Sequence, residues 1–357
     1  MASISLCMIV KNEEDVLTRC LEGVRGFVDE IVIVDTGSQD RTRQVAEKYT
    51  DKIYDFPWDD DFSAARNYGL EKATKEYCMW LDADDVILPE EAEKIQRLKK
   101  ILPKDVDTVM MKYATAFDEW GRPSFTYYRE RILKNCSQCR FQGRVHEVIV
   151  PFGNILYEDI QIEHRKIRVW DPQRNLRIYE KMYREGQILE PREVYYYGRE
   201  LLDHGRARDA CKQFRKFLGM SGGWKEDKKE ACRLLAYCYF LEEKRKKGVR
   251  TLLRALEYGQ PGPALCCDLG KYFFDRGEWK DAVFWYEQAL REDKEVFGFC
   301  QENCRGYLPC IQLCVCWYQL GDYDRARHYH QEAGRWNPKG EEYLKNVPFF
   351  ETDAYGK

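Results

Sequence analysis

Apolar and polar positions follow one rule up to about residue 115 and a different one after about residue 190. Ile4 to Val10 is a nearly unbroken apolar run, the pattern of a strand covered on both faces. A polar segment with helical spacing follows through Val16, Leu17, Leu21 and Val24. Glu30 to Asp35 repeats the theme: a buried strand ends in a carboxylate, Thr36-Gly37-Ser38 makes a turn, and Asp40 is positioned to cap a helix from Thr42 to Tyr49. A third unit pairs a short strand at Lys52-Ile53-Tyr54 with a helix from Ala64 to Ala73. The strand Tyr77 to Leu81 then runs into Asp82-Ala83-Asp84-Asp85. Strands alternating with helices imply parallel pairing with right-handed crossovers, and such sheets bind ligands at the carboxyl ends of their strands. The pattern predicts a Rossmann-like α/β domain with a mostly parallel sheet, and puts Asp35 and the Asp82 cluster at its ligand edge.

The second half reads as helices alone, and a short phrase recurs in it. Gly205 precedes Ala210, Gly277 precedes Ala282 and Gly321 precedes Ala326, each by five residues, and seven residues past the alanines stand Phe217, Ala289 and Ala333. A degenerate unit fits between the first two, with Gly248 and Ala255 in the small-residue slots. The slots at 210, 248, 282 and 326 are separated by 38, 34 and 44 residues. Those intervals lie around the roughly 34-residue period of tetratricopeptide helix pairs, with an insertion at Glu295 to Cys304 accounting for the longest. Small residues let paired helices approach closely, and stacked pairs make a groove. The division expected is 1–185 for the α/β domain and 186–357 for an all-α tetratricopeptide-like domain.

A chain of 357 residues accommodates two cores. The balance of 58 basic against 61 acidic residues leaves a net charge of -3, which implies no polyanion partner, and no nucleic-acid-reading motif is present. The stretch Lys244 to Lys247 reads as a solvated helix face. No apolar run approaches the ~20 residues of a membrane span, and the N-terminus lacks the basic leader of a signal peptide, so the expectation is a cytoplasmic protein. Fifteen cysteines, ten of them after residue 210 and mostly within helical patterns, read as buried reduced thiols. Cys136-Ser137-Gln138-Cys139 has no second pair at zinc-site spacing.

Carboxylates at i and i+2 on a strand-to-loop exit, as at Asp82 and Asp84, can turn toward one divalent ion, and hard oxygen ligands suit Mg²⁺ or Mn²⁺. Four phrases share this edge: Cys7-Met8-Ile9-Val10-Lys11-Asn12-Glu13, Ile33-Val34-Asp35-Thr36-Gly37-Ser38-Gln39-Asp40-Arg41-Thr42, Phe62-Ser63-Ala64-Ala65-Arg66-Asn67 and Trp80-Leu81-Asp82-Ala83-Asp84-Asp85. In order and spacing they resemble family 2 glycosyltransferases of the GT-A fold, over residues 1 to about 180. The repeats extend the resemblance to a bacterial branch whose members glycosylate cysteine or serine of bacteriocin peptides.

The resemblance implies a metal-dependent, inverting hexosyltransferase with a UDP-sugar donor and a peptide or protein acceptor bearing Cys, Ser or Thr. Asp35 would accept from the base, and Val10, Asn12 and Glu13 would line the nucleoside pocket, where Asn12 and Glu13 read alternatively as a helix cap. Arg66 would meet phosphate or brace Asp82, Asp82 and Ala83 would face the ribose or sugar, and Asp84 would bind Mn²⁺ or Mg²⁺. Phe141-Gln142-Gly143-Arg144-Val145-His146-Glu147 resembles a Gly-x-x-His-Glu phrase of the family. Glu147 is accordingly the first choice of catalytic base, with Asp84 the fallback. His164 matches a histidine that completes the metal shell in GT-A enzymes, although Arg165-Lys166-Ile167 stands where an aromatic-glycine-tyrosine phrase is common. Two rival readings remain: transfer to a saccharide or lipid-linked cell-envelope acceptor, and a non-catalytic repeat scaffold. The helical repeats also offer a surface for homo-oligomers.

Overall fold

The computed structural model describes residues 1–167, 171–291 and 300–351. Residues 295–299 of the insertion expected at Glu295 to Cys304 therefore lie outside the described residues. The chain forms two compact units, Met1–Leu189 and a second beginning at Glu190.

In the first unit the apolar runs become strands β1 (Ile4–Val10), β2 (Glu30–Asp35), β3 (Ile53–Asp55) and β4 (Tyr77–Trp80), interleaved with helices α1 (Leu17–Val24), α2 (Thr42–Ala46) and α3 (Phe62–Leu70). β1 lies between β2 and β4, and all of these neighbours are parallel. Alternate side chains of β1 enter opposite cores: Ile4, Leu6, Met8 and Val10 pack with Leu17, Leu21 and Val24 of α1, while Cys7 joins Val32, Leu70 and Trp80. Helix α3 starts two residues earlier than the sequence pattern indicates, because Asp61 caps it by accepting from the Ala64 N–H at 2.9 Å. Helix α2 is shorter than expected and begins after Arg41, while Asp40 accepts from the N–H groups of Thr42 and Glu14 and so ties the start of α2 to the loop after β1.

The expected parallel half continues into a mixed part of the same sheet. Helix α4 (Pro89–Ile101) leads to the long strands β6 (Thr108–Phe117) and β7 (Pro123–Lys134), which form an antiparallel pair. β7 joins the parallel half by running antiparallel to β4, and β8 (Ile155–His164) lies on the far side of β6. The two-residue strand β5 (Asp85–Val86) completes the edge by pairing antiparallel with β8. Helix α5 (Arg174–Arg184) closes the unit.

A buried carboxylate fastens the far end of the parallel half. Glu30 accepts from the Ser5 hydroxyl, from the Lys52 ammonium, and from the N–H and hydroxyl of Thr74, both at 2.8 Å. Burial alone would push this carboxyl up, but Lys52, Ser5 and Thr74 hold it down at about 2.

The second unit is a succession of helix pairs: α6 (Pro191–Asp203) on α7 (Ala207–Gly219), α8 (Lys225–Leu241) on α9 (Arg245–Arg254), α10 (Pro263–Phe274) on α11 (Trp279–Ala289), and α12 (Tyr307–Gln319) on α13 (Tyr323–Trp336), followed by α14 (Glu341–Glu351). Ala210, Ala282 and Ala326 are fully buried, as are Phe217 and Ala333. A second column of small residues stands twelve positions upstream of the slots at 210, 248, 282 and 326, at Gly198, Ala236, Gly270 and Cys314. A Cβ on Gly198 would lie 2.7 Å from Phe214, and one on Gly270 would lie 2.8 Å from Tyr286, so these glycines set the helix spacing. The turns within the pairs are closed alike: Gly205, Gly277 and Gly321 take φ of 73°, 71° and 80°, and the following N–H reaches back to a carbonyl five residues earlier. In the degenerate pair Glu243 fills that position at φ 58°. Of the 14 free cysteines characterised, all but Cys136 are buried, and no described helix is long and apolar enough to cross a membrane.

Two stability predictions follow from these contacts. Glu243→Gly should raise stability by about 0.5–1 kcal/mol, since a side chain in the left-handed region costs about 1–2 kcal/mol and the added glycine entropy returns part of it; chemical denaturation measures this, and a loss would contradict it. Because the Glu30 carboxyl is held below its ordinary 4.5, its contribution is complete above that value and disappears as pH falls toward about 2. Glu30→Gln should therefore cost about 2–3 kcal/mol at neutral pH, with the gap to wild type closing between those two pH values.

Candidate functional site

The site residues come together at the carboxyl ends of β1, β2 and β4, where the loop after β4 meets β8. The loop Asp82-Ala83-Asp84-Asp85 closes on itself: Asp85 N donates to Asp82 O, and Asp82 N donates to Asp85 Oδ2, both at 3.0 Å. Ala83 is buried in the core beneath. The closed loop keeps Asp82 and Asp84 partly exposed while Asp85 is fully buried. Strand pairing places His164 directly across from Asp85. His164 Nδ1 lies 3.2 Å from Asp84 Oδ1 and 3.1 Å from Asp85 Oδ1. Burial opposes a charge on this imidazole, but bonds to Asp84 and Asp85 outweigh it and raise its pKa to about 10.

Ligand atoms of Asp82, Asp84, Asp85 and His164 all lie within 4.8 Å of one another. The charge distribution fits a cation there. Glu13, first through burial and then through the nearby charges of Asp84, Asp82 and Asp40, has its pKa raised to about 7. Three carboxylates with one imidazole suit Mn²⁺ or Mg²⁺. Both oxygens of Asp85 are already engaged, by Tyr113, Arg131 and Asp82 N, which leaves Asp84, His164 and Asp82 as the groups able to hold an ion.

Arg66 of α3 is buried between the rings of Trp80 and Phe141, with its guanidinium 5.1 and 5.3 Å from their centroids. Its Nη2 donates to Asp82 Oδ1 at 2.5 Å and its Nε to Glu147 Oε1 at 2.6 Å. Of the two roles expected for Arg66, bracing Asp82 is the one this geometry displays. Burial opposes the charge of Arg66, yet Asp82 and Glu147 hold its pKa above the ordinary value, and Arg66 in turn keeps the Asp82 carboxyl well below the usual range against the effect of burial. Glu147 Oε2 makes no hydrogen bond among the described residues.

Glu147 is brought here because α3 holds the whole loop 141–147. Asn67 Nδ2 donates to Phe141 O at 3.0 Å while Phe141 N donates to Asn67 Oδ1 at 2.8 Å. The Ser63 hydroxyl donates to Gly143 O, and Phe62 N to Arg144 O. A bridge between Gln142 and Val148 closes the loop, with Gly143 at φ 91° and His146 at φ 53°. Sequence reasoning singled out Arg66 in this phrase and missed Ser63 and Asn67, whose signal was their spacing on the same helix face. It also missed Arg131 and Tyr113, which lie inside long strands that no loop motif marks.

The remaining residues sit on the neighbouring strand ends. Asp35 is buried and its Oδ1 accepts from Gly37 N and Ser38 N at 3.0 and 2.8 Å. Asn12, at φ 57°, accepts from Gln39 N through its side chain and donates its N–H to Ser38 Oγ. Asn12 therefore locks the 36–39 turn and is not a helix cap. Glu13 N donates to Thr42 Oγ1, and Glu13 O accepts from Val16 N and Leu17 N at the start of α1. The Val10 side chain is in the core, and its carbonyl accepts from the N–H and hydroxyl of Thr36. Asp35, Asn12 and Val10 thus form one group through this turn, and Asp82, Asp84, Glu147, Arg66 and His164 form another, with Glu13 electrostatically coupled to the second.

Residues 5–158 match the family model Glycosyl transferase family 2. A TPR repeat-containing protein of Synechococcus elongatus is 29% identical over 299 residues, covering 82% of this chain and 67% of that protein. The SPbeta prophage-derived glycosyltransferase SunS of Bacillus subtilis is 27% identical over 220 residues, covering 56% of this chain and 49% of SunS, so the similarity spans about half the length of that relative. Among solved structures, the TPR protein YrrB aligns over 50% of this chain and 84% of its own, at 16% identity and a TM-score of 0.38. The chain carries a glycosyl transferase family 2 domain, joined to a helical-repeat unit of the tetratricopeptide type.

Proposed function

We propose that this glycosyltransferase moves a hexose from a UDP-sugar, with inversion, to a cysteine, serine or threonine of a peptide or protein, and that it depends on Mn²⁺ or Mg²⁺. The observation that carries the reading is the convergence of Asp82, Asp84 and His164 within 4.8 Å, beside the Arg66–Glu147 pair. Asp84 and His164 hold the ion. When bound, it supplies Lewis-acid neutralisation of the departing diphosphate. Asp35, whose Oδ1 is occupied by the turn, receives the base N–H on its other oxygen. Asp82, with Oδ1 fixed by Arg66, offers its second oxygen to the ribose or sugar hydroxyls. Glu147 is oriented by Arg66 through Oε1, so that Oε2 takes the proton of the attacking acceptor; a base placed in this way is worth roughly 10² to 10⁴ in rate. The helical repeats hold the peptide, the role for which stacked helix pairs are suited.

The direct test is mass spectrometry of the purified protein with Mn²⁺ and a panel of UDP- and GDP-sugars, followed by candidate peptides with the preferred donor. Donor turnover that Asp84→Asn abolishes without unfolding the protein is the expected result. Near-normal transfer by that variant would remove Asp84 from the ion, and transfer to a saccharide with none to any peptide would replace the acceptor. A second prediction concerns protons. His164 binds one below about 10, and an imidazole must lose it to hold a metal. Mn²⁺ affinity should therefore rise with pH between pH ~6 and ~8, by up to about tenfold per unit, with proton release visible by calorimetry in buffers of different ionisation enthalpy. A flat profile would exclude His164 as a ligand.

A further inference from the structure

Asp85 is the acidic residue of the 82–85 loop that the proposed reading leaves without a task. It is fully buried, and four donors converge on it. Oδ1 accepts from the Tyr113 hydroxyl at 2.8 Å and faces His164 Nδ1 at 3.1 Å; Oδ2 accepts from Arg131 Nη1 at 3.2 Å and from Asp82 N at 3.0 Å. Arg131 is equally buried, wedged between the rings of Trp80 and Tyr113 at 4.0 and 4.1 Å. Its Nη1 also donates to Trp80 O, while Nε and Nη2 have no partner among the described residues. A guanidinium at this depth needs a counter-charge close by, because a buried charge that loses its partner is strongly destabilising. Asp85 is that partner, and it cannot swing toward an ion beside Asp84 without abandoning Arg131.

We propose that Asp85 is a positioning residue rather than a metal ligand: backed by Arg131 and Tyr113, it holds His164 by Nδ1, so that Nε2 is the nitrogen offered to the divalent ion. The inference rests on the metal reading given above. It accounts for two carboxylates meeting one imidazole nitrogen. Asp84 is partly exposed and free to turn to the ion, while Asp85 stays on the ring. A carboxylate behind a metal-binding histidine fixes ring orientation, and its loss typically weakens metal affinity 10–100-fold.

Asp85→Asn tests this, because an amide that keeps its oxygen on Arg131 must turn its NH₂ toward His164. Two readouts apply: the Nδ1 proton of His164 in the metal-free, [¹⁵N]His-labelled protein, assigned with His164→Gln, and the Mn²⁺ dissociation constant from calorimetry. The expected result is loss of the protected Nδ1 proton together with Mn²⁺ affinity roughly 10–100-fold weaker. Tyr113→Phe removes one of the four contacts and should shift both readouts in the same direction by less. A folded Asp85→Asn that keeps the proton signal and binds Mn²⁺ as wild type does overturns the proposal. If Asp85→Asn does not fold, an unchanged signal and affinity in Tyr113→Phe overturn it equally. Wild-type protein with a protected Nδ1 proton but no Mn²⁺ uptake would overturn the metal reading alone and leave the hold of Asp85 on His164 supported, which separates the two failures.

Discussion

The arrangement of the first unit depends on buried charges that neutralise one another around Trp80. Three guanidiniums approach this ring, Arg66 at 5.1 Å, Arg129 at 4.6 Å and Arg131 at 4.0 Å. Each is matched by acid: Arg66 by Asp82 and Glu147, Arg129 by Glu130, and Arg131 by Asp85. Charges taken out of water persist only when paired and hydrogen-bonded, so every member restricts its neighbours. Asp82 and Asp85 end up on opposite tasks within one four-residue loop because their cations come from different elements, α3 and β7.

Much of this was legible in the chain. The strands β1, β2 and β4 followed from apolar runs covered on both faces, and the repeat slots at Ala210, Ala282 and Ala326 followed from the close approach of paired helices. Strand β5 was not legible: two residues carry no periodicity, and Asp85–Val86 is a strand only because β8 lies beside it. The antiparallel entry of β6 and β7 escaped for a related reason, since a strand's own pattern reports burial and not the direction of its neighbour. Arg131 reads as a surface charge until the indole and the carboxylate that receive it are known.

The candidate site divides in the same way. Asp35, Asp82 and Asp84 were marked by their places at strand ends, which local pattern encodes. That Glu147 meets Arg66, 81 positions earlier in the chain, depends on the fold between them and on Ser63 and Asn67, whose partners are backbone groups with no sequence identity to read. In the degenerate helix pair, Glu243 concealed a turn that glycine announces in the other three, although the backbone conformation is the same.

The amide of Asn67 both gives to and takes from the backbone at Phe141, as a neighbouring strand would. One side chain thereby does the work of a rung of sheet, and the loop 141–147 is indexed to α3 as a strand is indexed in register. Sliding the loop by one residue would break this rung together with the bonds at Ser63 and Phe62. The loop's sequence is consequently free to vary wherever only its carbonyls and N–H groups are gripped, while its length is not: an insertion between Phe141 and Glu147 would uncouple the carboxylate from Arg66 even if every residue of the phrase were retained.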